Sequence, residues 1–212
     1  MSRRMTVMQL GEGALAVHCA MNMPAAEMQR LDDLGRVDYI IAPNPAHASE
    51  APLYARRYPE ARVLVPAGMV RRQSRLMAIH GSIEDGWPHE LDNSLQAVSI
   101  QGLRIPESAY LHVASRTLVV TDLVMNFGQD HFRGLMKMLM RCNGIIDRFG
   151  PSHLLRYGLI RDRNKLRRSL EQIMAWDFDV VVMNHGGVLA RDGKQRMAEA
   201  YAFLLNTGVT TG

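Results

Sequence analysis

The sequence predicts an α/β protein with mixed sheets, on three observations. Short β-branched runs alternate with segments of helical period over roughly the first 80 residues, the pattern of layered strands and helices. Two pairs of short apolar runs are joined by tight turns, so antiparallel hairpins sit beside the αβ units, which a purely parallel sheet lacks. Finally, three strand-like runs each end in polar residues able to hold a ligand. Val37–Ala42 runs into Pro43-Asn-Pro-Ala-His47, Ser115-Arg-Thr-Leu-Val-Val-Thr stops at Asp122, and Phe178–Met183 runs into Asn184-His-Gly-Gly187. Such residues are presented at a sheet edge, where the sites of α/β proteins gather.

Taken in order, Met5–Leu10 and Ala14–Ala20 flank Gly11-Glu-Gly13 and predict the first hairpin. Pro24 suits the first turn of a helix over Ala25–Leu34, which Gly35 ends, and Ala25, Met28, Leu31 and Leu34 form its apolar face. After the strand Val37–Ala42, a helix is expected over Ser49–Tyr58, stopped by Pro59. Arg62–Val65 is a short strand and Met69–Ile79 a basic helix carrying Arg71, Arg72 and Arg75. Gly81–Asn93 reads as loop, with Trp87 plugging it against the core. Leu95–Ile100, Ala109–Ala114 and Thr117–Asp122 follow as strands, the last two forming the second hairpin.

Gln129–Phe149 predicts one long helix with Leu135, Met138, Leu139, Cys142, Ile145 and Ile146 on one side, ended by Gly150-Pro151. Asp162 caps a helix over Arg163–Trp176, whose Leu166, Leu170, Ile173 and Met174 recur at helical spacing. Strand Asp179–Met183 and helix Gly193–Leu205 complete the chain, with Asn206–Gly212 expected to fray. The 15 methionines read as core filler. No repeat or linker divides the sequence, so a single domain over 1–212 is expected.

The chain has 212 residues, enough for one ordinary core, and 47% of them are hydrophobic. A formal charge of +4 is mildly basic, but the basic stretches at 71–75 and 161–168 lack interleaved aromatics, and nucleic acid is not an expected partner. Cys19 and Cys142 are far apart and in no CxxC spacing, which fits two buried, reduced thiols in a cytoplasmic protein. No run approaches the ~18 apolar residues of a membrane span, so no membrane is expected.

His47, Asp122 and His185 are the candidates for chemistry, since two imidazoles and a carboxylate are ligand types that suit Zn²⁺ or a similar ion; the same three could instead be a hydrogen-bonded acid and two structural histidines. Asn44, His89 and Arg116 are candidates for substrate contact, His89 because its loop could cover the site and Arg116 as a partner for an anionic group. No residue stands out as the catalytic base. His112, in mid-strand, reads as a hydrogen-bonded strand residue.

The order of elements, together with Ala42-Pro-Asn-Pro-Ala-His47, Ser115-Arg-Thr-Leu-Val-Val-Thr-Asp122 and His185-Gly186, resembles a divergent branch of the metallo-β-lactamase-like hydrolase superfamily over roughly Thr6 to Leu205. The resemblance implies a four-layer αββα sandwich with metal held at one edge. Ordinary members carry His-x-His-x-Asp-His after the strand matching Val37–Ala42. Here Asn44, Ala46, Ala48 and Ser49 take those places, and His47 is out of register by one. The next family histidine falls around Gly102-Leu103, while Asp122 and His185 match the bridging carboxylate and the final histidine. The two-metal site cannot be built from these residues. What the resemblance implies is at most one divalent ion, zinc first and iron or manganese next, on His47, Asp122 and His185, or none if the site is degenerate. The implied activity is hydrolysis of small esters, thioesters or lactones; the alternative is a non-catalytic relative that uses the sandwich to bind a small molecule or a protein.

Overall fold

The computed structural model describes residues 3–206 and contains two packed sheets with helices on both outer faces. The first sheet has the order β1-β2-β3-β4-β5, from Thr6–Gly11, Ala14–His18, Arg36–Ile41, Arg62–Val65 and Gly81–Ser82. Its hairpin β1/β2 is antiparallel and the remaining neighbours are parallel. The second sheet has the order β11-β8-β7-β6, from Val180–Met183, Thr117–Val120, Ser108–His112 and Leu95–Ser99. Here β8 pairs antiparallel with β7 but parallel with β11, Val120 lying opposite Met183. A small ribbon of β9 (Met125–Phe127) and β10 (Arg148–Gly150) lies beside them.

Strand alternation explains the layers. Ala16, Tyr39, Ile41 and Leu64 of the first sheet face Leu95, Tyr110 and Val119 of the second, forming the inner core. Their sequence neighbours point outwards. Leu15, Val17, Ile40 and Val63 meet α1 (Ala25–Leu34), α2 (Ala51–Arg57) and α3 (Ala67–Gln73) through Leu31, Tyr54 and Met69. Leu118, Val120, Val181 and Met183 meet α5 (Arg163–Ala175) and α6 (Gly193–Ala200) through Leu166, Leu170, Ile173 and Met197. Each such fully buried side chain contributes roughly 1.5–3 kcal/mol. This is the expected αββα arrangement with mixed sheets, and Trp87 packs on Tyr110 as expected.

Four expectations need correction. The long helix over Gln129–Phe149 is only α4, Gly134–Cys142. Asn143-Gly144 ends it, with Gly144 in the left-handed region against the His153 ring, and Arg148–Gly150 then pairs as β10. No residue of α4 is buried: Leu135 is 68% and Leu139 47% exposed, and Met136, Met138 and Cys142 are also in solvent. The basic helix stops at Gln73, six residues early. Gly81–Asn93 contains the two-residue strand β5. The last helix is broken at Tyr201, whose buried hydroxyl donates to the Leu123 carbonyl, and resumes as α7, Ala202–Leu205. The predicted fraying of 207–212 lies outside the described residues. Among the described residues no helix is long and apolar enough to cross a membrane.

Candidate metal centre

The site is assembled where β3, β8 and β11 end. Beyond β3 the chain turns at Asn44 into a short 3₁₀ turn, Pro45–His47, whose first amides the Asn44 side-chain oxygen accepts from Ala46 and His47 (3.0 and 3.1 Å). That cap aims His47 inward. Asp122 follows β8, and His185 follows its parallel partner β11. Gly186, with φ +93°, lets the backbone beyond His185 press against Asn126, where any Cβ would collide with the Asn126 carbonyl.

His47, Asp122 and His185 meet, their nearest donor atoms all within 4.8 Å of one another. His47 Nε2 lies 3.4 Å from Asp122 Oδ2, and His185 Nε2 lies 3.3 Å from Asp122 Oδ1. The two rings are tilted at 59° with centroids 5.1 Å apart. The two histidines approach different oxygens of the Asp122 carboxylate, one on each side. Two imidazoles and one carboxylate, both histidines buried, therefore fit a single divalent cation.

Around these three lies a buried network of which the sequence reading named Asn44, as a substrate contact, but not Glu107. Asn44 Nδ2 donates to Glu107 Oε2 (2.9 Å) and Asp122 Oδ2 (2.8 Å). Glu107 also accepts from the Ser108 amide at 3.1 Å. Burial, reinforced by the neighbouring Asp122 charge, pushes the Glu107 carboxyl up to about 8. Burial opposes ionisation of Asp122 too, but hydrogen bonds and positive charge from His185 and His47 outweigh it and hold that carboxyl well below the usual range. One carboxyl is thus kept protonated near neutrality and the other ionised. Deeper still, His18 approaches Thr121 Oγ1 at 3.4 Å, and burial, aided by charge on His47, drives its ring down to about 3.

Asn184 supports His47 from behind, its Nδ2 lying 2.7 Å from His47 Nδ1. The Asn184 orientation is fixed by Arg4, whose amide donates to Asn184 Oδ1 at 3.0 Å while its guanidinium donates to the Met183 and Gly186 carbonyls at 2.7 and 2.8 Å. Glu107 was legible in principle: stepping back from Ala109 and Leu111 along the strand puts it on the same buried face. Arg4 carries no local signal.

A cavity of about 340 Å³ opens onto His47, Asp122, His185 and Glu107, within the size range of ligand sites. The three residues expected to contact substrate do not line it. Asn44 is fully buried beneath it, with both ends of its amide engaged. His89 is an exposed ring beside Asp92, and Arg116 pairs with Asp177 in the turn before β8, at the far end of that strand from Asp122. His112 bonds to the Gln9 carbonyl and Ser115 at 2.7 Å, as a strand histidine should.

Solved structures with this architecture are metallo-β-lactamase-fold proteins. The FIM-1 metallo-β-lactamase from Pseudomonas aeruginosa, in its mono-zinc form, superposes with a TM-score of 0.57 at 9% identity, covering 95% of this chain and 84% of its own. The metallo-β-lactamase superfamily protein ST1585 from Sulfolobus tokodaii gives 0.54 at 15% identity over 100% and 92%. The chemotaxis sensor ODP, in a peroxy diiron state, gives 0.58 at 11% over 96% and 87%. The fold is therefore that of the metallo-β-lactamase superfamily, in a divergent form. The chain belongs to the family DUF4336, a domain of unknown function, whose model matches residues 1–133 and so includes His47 and Asp122 but not His185. A search of curated protein sequences returns no match.

Proposed function

We propose that the protein is a single-metal hydrolase of small esters, thioesters or lactones. The observation that carries this reading is the convergence of His47, Asp122 and His185 at the end of a ligand-sized cavity. A divalent ion bound there supplies Lewis acidity towards a carbonyl and an activated water. The chain's own residues do the rest. His47, Asp122 and His185 hold the ion, Asn44 orients the Asp122 carboxylate, and Asn184 sets the His47 ring. Glu107, a protonated carboxyl on the cavity wall, is the group available to give a proton to a departing alkoxide or thiolate.

Elemental analysis after loading with Zn²⁺, Fe²⁺ or Mn²⁺, with His185→Ala beside it, tests the reading. The expected result is about one metal per chain, lost in the variant, with ester or lactone turnover that follows metal content. No metal under any loading overturns it.

A second reading, a non-catalytic binding scaffold, is favoured by one observation: both Asp122 oxygens already have side-chain partners within the protein. In that case Asp122→Ala lowers thermal stability equally with and without a chelator. A loss confined to the metal-loaded protein rules it out.

A further inference from the structure

The cavity wall specifies what kind of acyl group the site takes, an inference that rests on the hydrolase reading above. Six large apolar side chains, Leu103, Ile105, Met125, Leu154, Leu155 and Leu159, make up half of the residues lining that wall, and the donor cluster belongs to the same lining. Leu103 lies where the resemblance to metal hydrolases calls for another histidine. Leu154 stands at the rim, 59% exposed while still lining the cavity, on a turn of π-helix over Leu154–Leu159. An apolar side chain half in water at a cavity mouth gains by being covered.

Among the described lining residues there is no Lys or Arg, and the two charged types present, Asp122 and Glu107, are acids. The nearby cations are engaged elsewhere. Arg104 donates to the Gly158 carbonyl at 3.2 Å, and the Arg156 guanidinium stacks on Phe203, 4.1 Å from the ring centroid. Away from the metal-holding end, a carboxylate on the acyl part of a substrate would therefore be desolvated against Leu103, Ile105 and the 154–159 turn with no side-chain cation to pair with it.

We infer that the site takes an uncharged aliphatic acyl chain, laid along Leu103, Ile105 and the 154–159 turn with its carbonyl at the His47–Asp122–His185 end. Acyl groups carrying a terminal carboxylate are excluded by the same wall.

The test uses metal-loaded protein and two readouts. In the first, p-nitrophenyl esters from acetate to octanoate are compared with a hemisuccinate ester. Each added methylene that is buried is expected to raise kcat/KM roughly fourfold until the cavity is full, since burial of one CH₂ contributes roughly 0.8 kcal/mol. The hemisuccinate falls below butyrate by tenfold or more. In the second, binding of N-methyl octanamide and N-methyl acetamide, neither of them cleaved, is followed by NMR shifts in wild type and in Leu154→Glu, a rim substitution on an already exposed side chain. The octanamide is expected to bind at least tenfold more tightly, and the advantage to shrink in the variant. Octanamide binding without cleavage of any ester upholds the acyl pocket and overturns the hydrolase reading alone. Cleavage without chain-length preference, and no octanamide binding, overturns the pocket and leaves the hydrolase standing. Neither binding nor cleavage overturns both.

Discussion

Both ends of the strands carry carboxylates, but to opposite effect. Where β3, β4 and β8 begin, charges pair at the surface: Arg36 with Asp38, Arg62 with Glu90, Arg116 with Asp177. Where β3, β8 and β11 end, Asn44, His47, Glu107, Asp122, Asn184 and His185 interlock, all of them buried except Asp122, which is partly exposed. At the first end solvent screens each pair, and each contributes little. At the second, burial keeps the Glu107 carboxyl neutral, while the hydrogen bonds and charge of His185 and His47 overcome burial and hold Asp122 ionised. The difference teaches that a carboxyl's state is decided by desolvation together with the partners buried beside it.

The sharpest way to break this comparison is to remove the amide that joins the two carboxyls. Asn44→Leu leaves Glu107 and Asp122 without their shared donor and takes the cap from the His47 turn, and a loss of about 3–5 kcal/mol is expected in urea unfolding. A loss below about 1 kcal/mol would put the buried end on a par with the surface end. A smaller effect is expected from Asn184→Asp. Histidines that bind metal usually donate their second ring N–H to an acceptor, and Asn184 now presents a donor to His47 Nδ1. A carboxylate there favours the tautomer with a free Nε2 lone pair, so Zn²⁺ affinity should rise about tenfold or more by competition with a chelating dye.

The smallest effects belong to the other end. Arg116→Ala should cost under about 1 kcal/mol, and less in high salt. Asp32, near the same end, has its carboxyl held below the usual range by the Tyr58 hydroxyl and then by Arg57. A depressed carboxyl contributes stability above its unfolded pKa and loses it as pH falls through the folded one. The stability gap between wild type and Asp32→Asn, small at pH 7, should therefore close below about pH 3 in thermal melts. A gap that persists there would assign the effect to packing instead.

Much of the fold was legible because strand alternation and caps act locally. Arg62–Val65 has its predicted bounds, and Asp162 caps α5 by accepting from the Lys165 amide. The contrast between α4 and α5 marks the limit. Both carry apolar residues at helical spacing, yet α5 buries Leu166, Leu170 and Ile173 while α4 buries nothing. Periodicity says which face wants cover, not whether the rest of the chain supplies it. The site divides in the same way. His47, Asp122 and His185 followed from strand ends, whereas Arg4 and Asn44 act through partners 179 and 63 residues away that no local pattern announces.

The pairing of β8 with β11 also has a consequence in time. A chain is made from its N-terminus, and His47 and Asp122 emerge long before the strand that carries His185. Until β11 docks beside β8, the half-made protein has two of its three donors and lacks the Met183 and Gly186 carbonyls that hold Arg4 in place. On the proposed reading, competence to hold an ion arrives only when β11 docks beside β8.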